Sequence, residues 1–267
     1  MILRLTTMGT ATAMPISDRN PSAQMLNANG RLFLIDCGEG TQQQIRRCHL
    51  SFLRIEAIFI SHIHGDHVFG IFGLLSTMAM YGRTAPLDIY GPRALGGVLN
   101  FYTSWFGPED PYELRFHTLD CKEPTLVHKS KAIQVSAFPL NHKVECYGFR
   151  FDEIVTPRHA EANPAYRAKS YAYCSDTAPF PELASWVRGV TCLYHEATYQ
   201  AEMADKAAAR FHSTTHDAAK CALDAGAGRL IVGHYSSRIT DFDALLQECR
   251  DVFPGTVTAS DCEVFEI

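Results

Sequence analysis

Residues 59–70 read "FISHIHGDHVFG", with three histidines and an aspartate inside six positions directly after an apolar run. The preceding "EAIFIS" (56–61) has the β-branched and aromatic content of a buried strand. Its end delivers His62, Ile63 and His64 to a loop. Side chains two apart in extended backbone point the same way, so His62 and His64 can share one ion. Gly65 permits a sharp turn, after which Asp66 and His67 can address a second ion. Imidazoles with a carboxylate suit Zn²⁺ best, with Mn²⁺ or Fe²⁺ as alternatives. One histidine in such a loop would read as a surface residue. Four ligand-type side chains between a strand and a helix read as a metal site.

Outward from this stretch, short β-type runs alternate with helical ones. Further strand candidates are 2–6, 31–36, 87–91, 132–138, 147–151, 170–175, 191–195, 229–234 and 262–267. Helix candidates are Gly40–Cys48, His67–Tyr81, Arg93–Phe106, Thr215–Ala225 and Asp241–Arg250, with Asp217 and Asp241 as acidic residues for N-terminal turns. Strands outnumber the helices that lie between them, which favours layered sheets covered by helices, an α/β (α+β layered) class. No repeat or long linker divides the chain, so residues 1–267 are expected to form a single domain. The stretch 152–169, "DEIVTPRHAEANPAYRAK", has two prolines and weak apolar patterning and is expected to be a loop.

Composition excludes several classes. Of the 267 residues, 46% are hydrophobic and 20% charged, as in soluble globular proteins. The start, "MILRLTTMGT", lacks the basic and apolar regions of a signal peptide, and no apolar run approaches the length of a membrane span. The nine cysteines form no CxxC pair and read as reduced core residues of a cytoplasmic protein. The net charge of −5 argues against broad non-specific nucleic-acid binding.

His-x-His-x-Asp-His between a strand and a helix resembles the signature of the metallo-β-lactamase superfamily. The resemblance implies a four-layer αββα sandwich and further metal ligands at later strand ends. "FPLNH" offers His142, "YAYCSDT" offers Asp176 and "LIVGHYSSR" offers His234, in the implied order. By this resemblance His62, His64 and His142 hold one ion, Asp66, His67 and His234 hold the other, and Asp176 bridges them. Two ions about 3.5–4 Å apart activate a water and stabilise the oxygens of an in-line displacement. Histidine at position 64, where glutamate would stand, argues against the oxygen-reducing di-iron members.

Other segments resemble the ribonuclease Z branch, the tRNA 3′-processing endonucleases. They are "GTATAMPISDRNPSA" (9–23), containing Arg19 and Asn20, "LIDCGEGTQQQI" (34–45), "HEATY" (195–199), "FHSTTHDAA" (211–219) and "GHYSSR" (233–238). The match keeps its order across nearly the whole chain. It implies His212 as general acid, oriented by Glu196, which raises its pKa toward the operating pH. Without the resemblance, His212 would read as a neighbour of a helix cap. Asp66 is also a candidate general base on the bridging water. Ser236, Ser237 and Arg238 are candidate phosphate ligands, and on physics alone Arg238 reads equally as a surface residue. Arg19 and Asn20 are candidates for the RNA backbone, with turn formation as the alternative for Asn20. His195 reads as structural, and His49, His117, His128, His159 and His216 match no ligand position.

One family feature is cut down. Short bacterial members usually carry a Gly/Pro-rich basic arm between the third ligand and the bridging aspartate, which grips tRNA across a dimer. Here 152–169 sets Arg158, Arg167 and Lys169 against Asp152, Glu153 and Glu161, with no glycine. Such a balance releases few counterions from RNA. The expected activity is therefore a binuclear zinc-dependent phosphodiesterase of ribonuclease Z type, acting on tRNA precursors, with a homodimer implied by analogy. Two alternatives remain. One is a small-molecule phosphodiesterase, for a cyclic nucleotide or cyclic ribose phosphate, on the same metals. The other is a catalytically silent RNA-binding protein.

Overall fold

Two seven-stranded sheets carry the chain. A computed structural model describes residues 2–108 and 112–267, with the side chains of 158–160 outside the described set. In spatial order the N-terminal sheet runs Glu263–Glu266, Leu3–Gly9, Ala23–Ala28, Arg31–Ile35, Ile55–Phe59, Leu87–Gly91 and Leu114–Thr118. The C-terminal sheet runs Thr256–Thr258, Leu230–Gly233, Cys192–Glu196, Ser170–Cys174, Tyr147–Glu153, Ile133–Pro139 and Thr125–Lys129. A two-stranded parallel bridge, Ala11–Thr12 with Tyr235–Ser236, joins an N-terminal loop to a C-terminal one.

Alternation along the strands builds the layers. Phe33, Ile35, Ala57 and Phe59 turn inward and meet Val135, Phe149, Phe151, Tyr171 and Ile231 of the other sheet. Their neighbours Leu32, Leu34, Ile58 and Ile60 turn outward, under Ile71, Leu74, Met78, Leu95 and Leu99 of helices Ile71–Met80 and Arg93–Phe106. On the opposite outer face, Ala172, Leu193, Leu230 and Val232 lie under Ala218, Ala222 and Leu245 of helices Thr215–Ala225 and Phe242–Arg250. The result is helix, sheet, sheet, helix, the expected sandwich. Among the described residues, no helix is long and apolar enough to cross a membrane.

Several expectations need correction. The helix read as His67–Tyr81 is two pieces, Gly65–Val68 and Ile71–Met80. The break falls at Gly70, whose N–H donates to the Cys37 carbonyl at 2.9 Å and not to the preceding turn. A Cβ at Gly70 would also lie 2.1 Å from the Gly38 carbonyl oxygen, so only glycine admits this approach. The stretch 152–169 is not all loop: strand Tyr147–Glu153 reaches into it, and residues Pro157–Ala162 are helical. Tyr166 donates to Glu153 at 2.7 Å, which ties the end of the segment to its start. The cysteines are not all reduced: Cys48 and Cys262 form a disulfide, with Cα atoms 5.5 Å apart. Closing the last strand onto the first brings them together across 214 positions, which no spacing rule can see.

Candidate metal centre

The ligand candidates collect at one edge of the sandwich, where several strands end. His62 and His64 follow Ile55–Phe59, His142 follows Ile133–Pro139, Asp176 follows Ser170–Cys174 and His234 follows Leu230–Gly233. Crevices outside the carboxyl ends of parallel strands are the usual place for a site in layered α/β folds. His234 adopts φ 61°, which turns the chain sharply at the strand end. Gly233 before it is fixed by packing, since a Cβ there would lie 2.1 Å from the Tyr194 hydroxyl.

Among the described residues three groups could hold an ion. His62, His64, His142 and Asp176 make one, and Asp66, His67 and His234 make another. The third, Asp176, His212 and His234, shares members with the other two. In the first, Nε2 of His62 and Nε2 of His142 lie 3.0 and 3.3 Å from Nδ1 of His64. In the second, the Nε2 atoms of His67 and His234 are 3.2 Å apart, and Oδ2 of Asp66 lies 3.7 and 3.5 Å from them. Asp176 faces both. Its Oδ2 is 3.6 Å from His62 and 3.9 Å from His142, while its Oδ1 is 3.4 Å from His67 and 3.1 Å from His234.

These separations fit cations. Donors around a tetrahedral zinc stand about 3.3 Å apart, given bonds of about 2.0–2.2 Å. Oδ1 of Asp176 is buried and has no hydrogen-bond partner among the described residues, an orphan that a cation would satisfy. Burial pulls the His62, His64 and His142 imidazoles below their usual pKa, which keeps their lone pairs free. Burial works against charge on Asp176, but His234, His67 and His62 hold its carboxyl well below the usual range. Burial likewise disfavours a charged His67, yet Asp176, Asp36 and Asp66 outweigh it and push that imidazole up. Such a concentration of buried carboxylate calls for positive charge.

Hydrogen bonds on the far ring nitrogens fix which nitrogen faces inward. His142 donates from Nδ1 to the Phe211 carbonyl at 3.0 Å. His67 donates from Nδ1 to Asp36 Oδ2 at 2.8 Å, and Asp36 also accepts from the Tyr173 hydroxyl and from Ser61. His234 donates from Nδ1 to the Thr198 hydroxyl at 2.9 Å, and Thr198 in turn donates to Glu196 at 2.6 Å. Asp66 accepts from the Thr12 hydroxyl at 3.1 Å. Asp36, Tyr173, Thr198 and Thr12 were not singled out in the sequence. Asp36 lies in "LIDCGEG" at a strand end with φ 56°, a weak local signal.

His212 joins Asp176 and His234 in the third group, its Nδ1 4.0 Å from Asp176 Oδ2. Its Nδ1 donates to Glu196 Oε1 at 2.9 Å. Glu196 is wholly buried and also accepts from the backbone N–H groups of Thr177, Ser213 and Thr198. Burial lowers the His212 pKa, but the Glu196 carboxylate and then Asp176 raise it more, to about 9. His212 is therefore a cationic acid at neutral pH, with Nε2 left for the cleft.

A cleft of about 650 Å³ opens over the centre, lined by His64, Asp66, His142, Asp176, His212 and the Ser236–Arg238 loop, among others. Arg19 and Asn20 do not line it. The Arg19 guanidinium stacks on Phe242 at 3.9 Å, and Asn20 gives its side-chain and backbone N–H groups to Asp261. Both hold the N-terminal loop. His195 is buried, with Nδ1 donating to the Glu196 carbonyl at 2.8 Å, outside all three groups. His49, His117, His128 and His216 also lie outside the clusters, and the side chain of His159 is outside the described residues, as is that of Arg158.

The chain is similar to known proteins over most of its length. Residues 31–235 match the Beta-lactamase superfamily domain. A Porphyromonas gingivalis protein named Ribonuclease Z is 36% identical over 290 aligned positions, covering 95% of each chain. A Bacteroides thetaiotaomicron protein of the same name is also 36% identical, covering 95% of this chain and 92% of its own. The crystal structure of human tRNase Z, short form, superposes with a TM-score of 0.82 at 28% identity, over 99% of both chains. The 290 positions aligned with the bacterial relatives exceed the 267 residues here, so those relatives carry insertions that this chain lacks.

Proposed function

This chain belongs to the ribonuclease Z family of the beta-lactamase superfamily, and from that premise we propose that it cleaves precursor tRNA at the 3′ side, leaving a 3′-hydroxyl. The observation that carries the reading is the pairing of an Asp176-bridged double cluster with the His212–Glu196 dyad. Two zinc ions, with Mn²⁺ or Fe²⁺ as substitutes, would be held by His62, His64 and His142 and by Asp66, His67 and His234, with Asp176 shared. When bound, such ions supply Lewis acidity to the phosphoryl oxygens and lower the pKa of an attacking water.

The chain's own groups do the rest. Asp66, whose Oδ2 faces the ring nitrogens of His67 and His234, accepts a proton from the attacking water. His212 gives its Nε2 proton to the departing O3′ as the P–O3′ bond breaks, so a 3′-hydroxyl and a 5′-phosphate result. Glu196 holds the imidazole in that tautomer and stabilises its charge. Ser236, Ser237 and Arg238 follow His234 and line the cleft, where hydroxyls and a guanidinium bind a phosphate.

We place the protein in the cytoplasm. We also propose a homodimer, supported by exposed Met80, Phe101, Trp105 and Phe106 on two neighbouring helices, an apolar surface of the kind that covers itself by association. Light scattering at micromolar concentration tests it, with a mass of one chain as the contrary result.

The short, charge-balanced segment 152–169 favours one second reading, a small cyclic phosphodiester on the same metals. The test compares one metal-loaded preparation on a precursor tRNA and on a cyclic nucleotide panel. We expect precursor cleavage to exceed cyclic hydrolysis in kcat/KM by orders of magnitude; the reverse ranking would replace the substrate.

A further inference from the structure

Two cations at the cleft have no role in the scheme above. Lys143 and Arg210 both line it, and both are exposed. Neither Lys143 nor Arg210 has a carboxylate partner among the described residues, and unlike other unpaired cations of the surface both stand at the wall of this cleft. The acidic residues of the cleft wall, Asp66 and Asp176, are both committed to the metal clusters. In a chain of net charge −5, free cations kept at this wall call for an anionic ligand.

Their position defines which part of the ligand they meet. Lys143 follows His142, and Arg210 precedes Phe211 and His212 by one and two positions. The two segments are tied together, because His142 Nδ1 donates to the Phe211 carbonyl at 3.0 Å. The His142 and His212 rings are 5.3 Å apart. Lys143 and Arg210 therefore sit beside the proton donor. The Ser236–Arg238 loop belongs to another wall: it follows His234 and pairs with Thr12, which donates to Asp66. A reaction that leaves a 3′-hydroxyl breaks the bond to O3′, so the proton donor marks the side of the upstream nucleotide.

We propose that Lys143 and Arg210 form a clamp for the phosphate immediately upstream of the scissile one, so the site recognises an RNA strand by a phosphate that a cyclic nucleotide does not have. The inference rests on the reading of the chain as a tRNA 3′-processing endonuclease. An ammonium and a guanidinium at one phosphate make charge-assisted hydrogen bonds, and these carry affinity without reading sequence. The clamp offsets part of the grip that the shortened 152–169 segment cannot give.

The test uses metal-loaded full-length protein and three precursor tRNAs: unmodified, with a neutral methylphosphonate at the upstream phosphate, and with one at the phosphate downstream of the cleavage site. For wild type, we expect the upstream neutral linkage to lower kcat/KM about tenfold. Lys143→Gln/Arg210→Gln should lose a similar factor on unmodified RNA, mostly through KM, and little more on the upstream-neutral RNA. The downstream linkage should keep its full effect in this variant, and Lys143→Arg should retain most of the wild-type rate. Bound metal per chain and Tm, measured on the same samples, should match wild type because both side chains are exposed. An upstream penalty that persists in the double variant, or a double variant with wild-type kcat/KM, would overturn the clamp. Failure of wild type to cut the unmodified precursor is a separate result, which would overturn the underlying function.

Discussion

At the scale of single residues, His212 and Glu196 set the pH behaviour. The folded pKa of His212 is raised to about 9, so the acid form is present at neutral pH and is lost as pH rises through that value. Cleavage of precursor RNA should fall on the alkaline side. Bound cations pull this limb lower, and Glu196→Gln should move it lower again, toward the ordinary histidine value near about 6.5. A pH–rate profile of the two proteins checks this; an unmoved limb would detach Glu196 from the acid. His212→Ala should slow precursor cleavage by about 10²–10⁴-fold. Hydrolysis of bis-p-nitrophenyl phosphate should suffer much less, because p-nitrophenolate leaves without a proton. Equal losses on both substrates would remove His212 from the acid role. The dense stretch 62–67 was legible on its own, whereas His142, Asp176 and His234 were offered only through the family resemblance. Asp36 and Thr198 were not, since their partners lie 31 and 36 positions away in sequence. The stacking of Arg19 was hidden for the same reason: its partner Phe242 lies at the other end of the chain.

At the scale of elements, the helix Thr215–Ala225 couples stability to the site. Its cap is Thr214, whose hydroxyl accepts from the Asp217 N–H while the Asp217 carboxylate accepts from Thr214 N–H at 2.9 Å. Thr214→Ala should cost about 1 kcal/mol, a fall in Tm of about 2–4 °C for a domain of this size. Because Thr214 stands two positions after His212, the same variant should also lower kcat on precursor RNA. Calorimetry and initial rates on one sample test both, and an unchanged Tm would contradict the capping argument. Elements with a strong apolar pattern were readable, among them Ile55–Phe59, Leu230–Gly233 and Arg93–Phe106. Strand Ala23–Ala28 was missed because Gln24 and Asn27 interrupt its apolar alternation; Gln24 is nonetheless buried, where it accepts from the Tyr171 hydroxyl. Leu114–Thr118 and Thr125–Lys129 were missed as sheet-edge strands with mixed polar faces.

At the scale of the whole molecule, the sandwich serves to bring strand ends from both sheets to one edge. His62, His64, Asp66 and His67 come from the N-terminal sheet's side, and His142, Asp176 and His234 from the other. The centre therefore spans the sheet–sheet interface, and filling it should bind the two halves together. Removing metal with a chelator should lower Tm by several degrees, and zinc should restore it; a Tm indifferent to chelation would separate the site from the fold. Alternating strands and helices made layered sheets covered by helices legible, and the order of the four layers came from the family resemblance. The Cys48–Cys262 pairing and the helical piece within 152–169 were not, because both depend on contacts set only after the chain closes. The most direct test of the account is the metal content of purified wild type against Asp176→Ala. Two ions per chain in wild type, falling to one or fewer when the bridging carboxylate is removed, is the predicted result. Fewer than one ion per chain in wild type, or unchanged content in the variant, would contradict the shared two-metal centre on which the function rests.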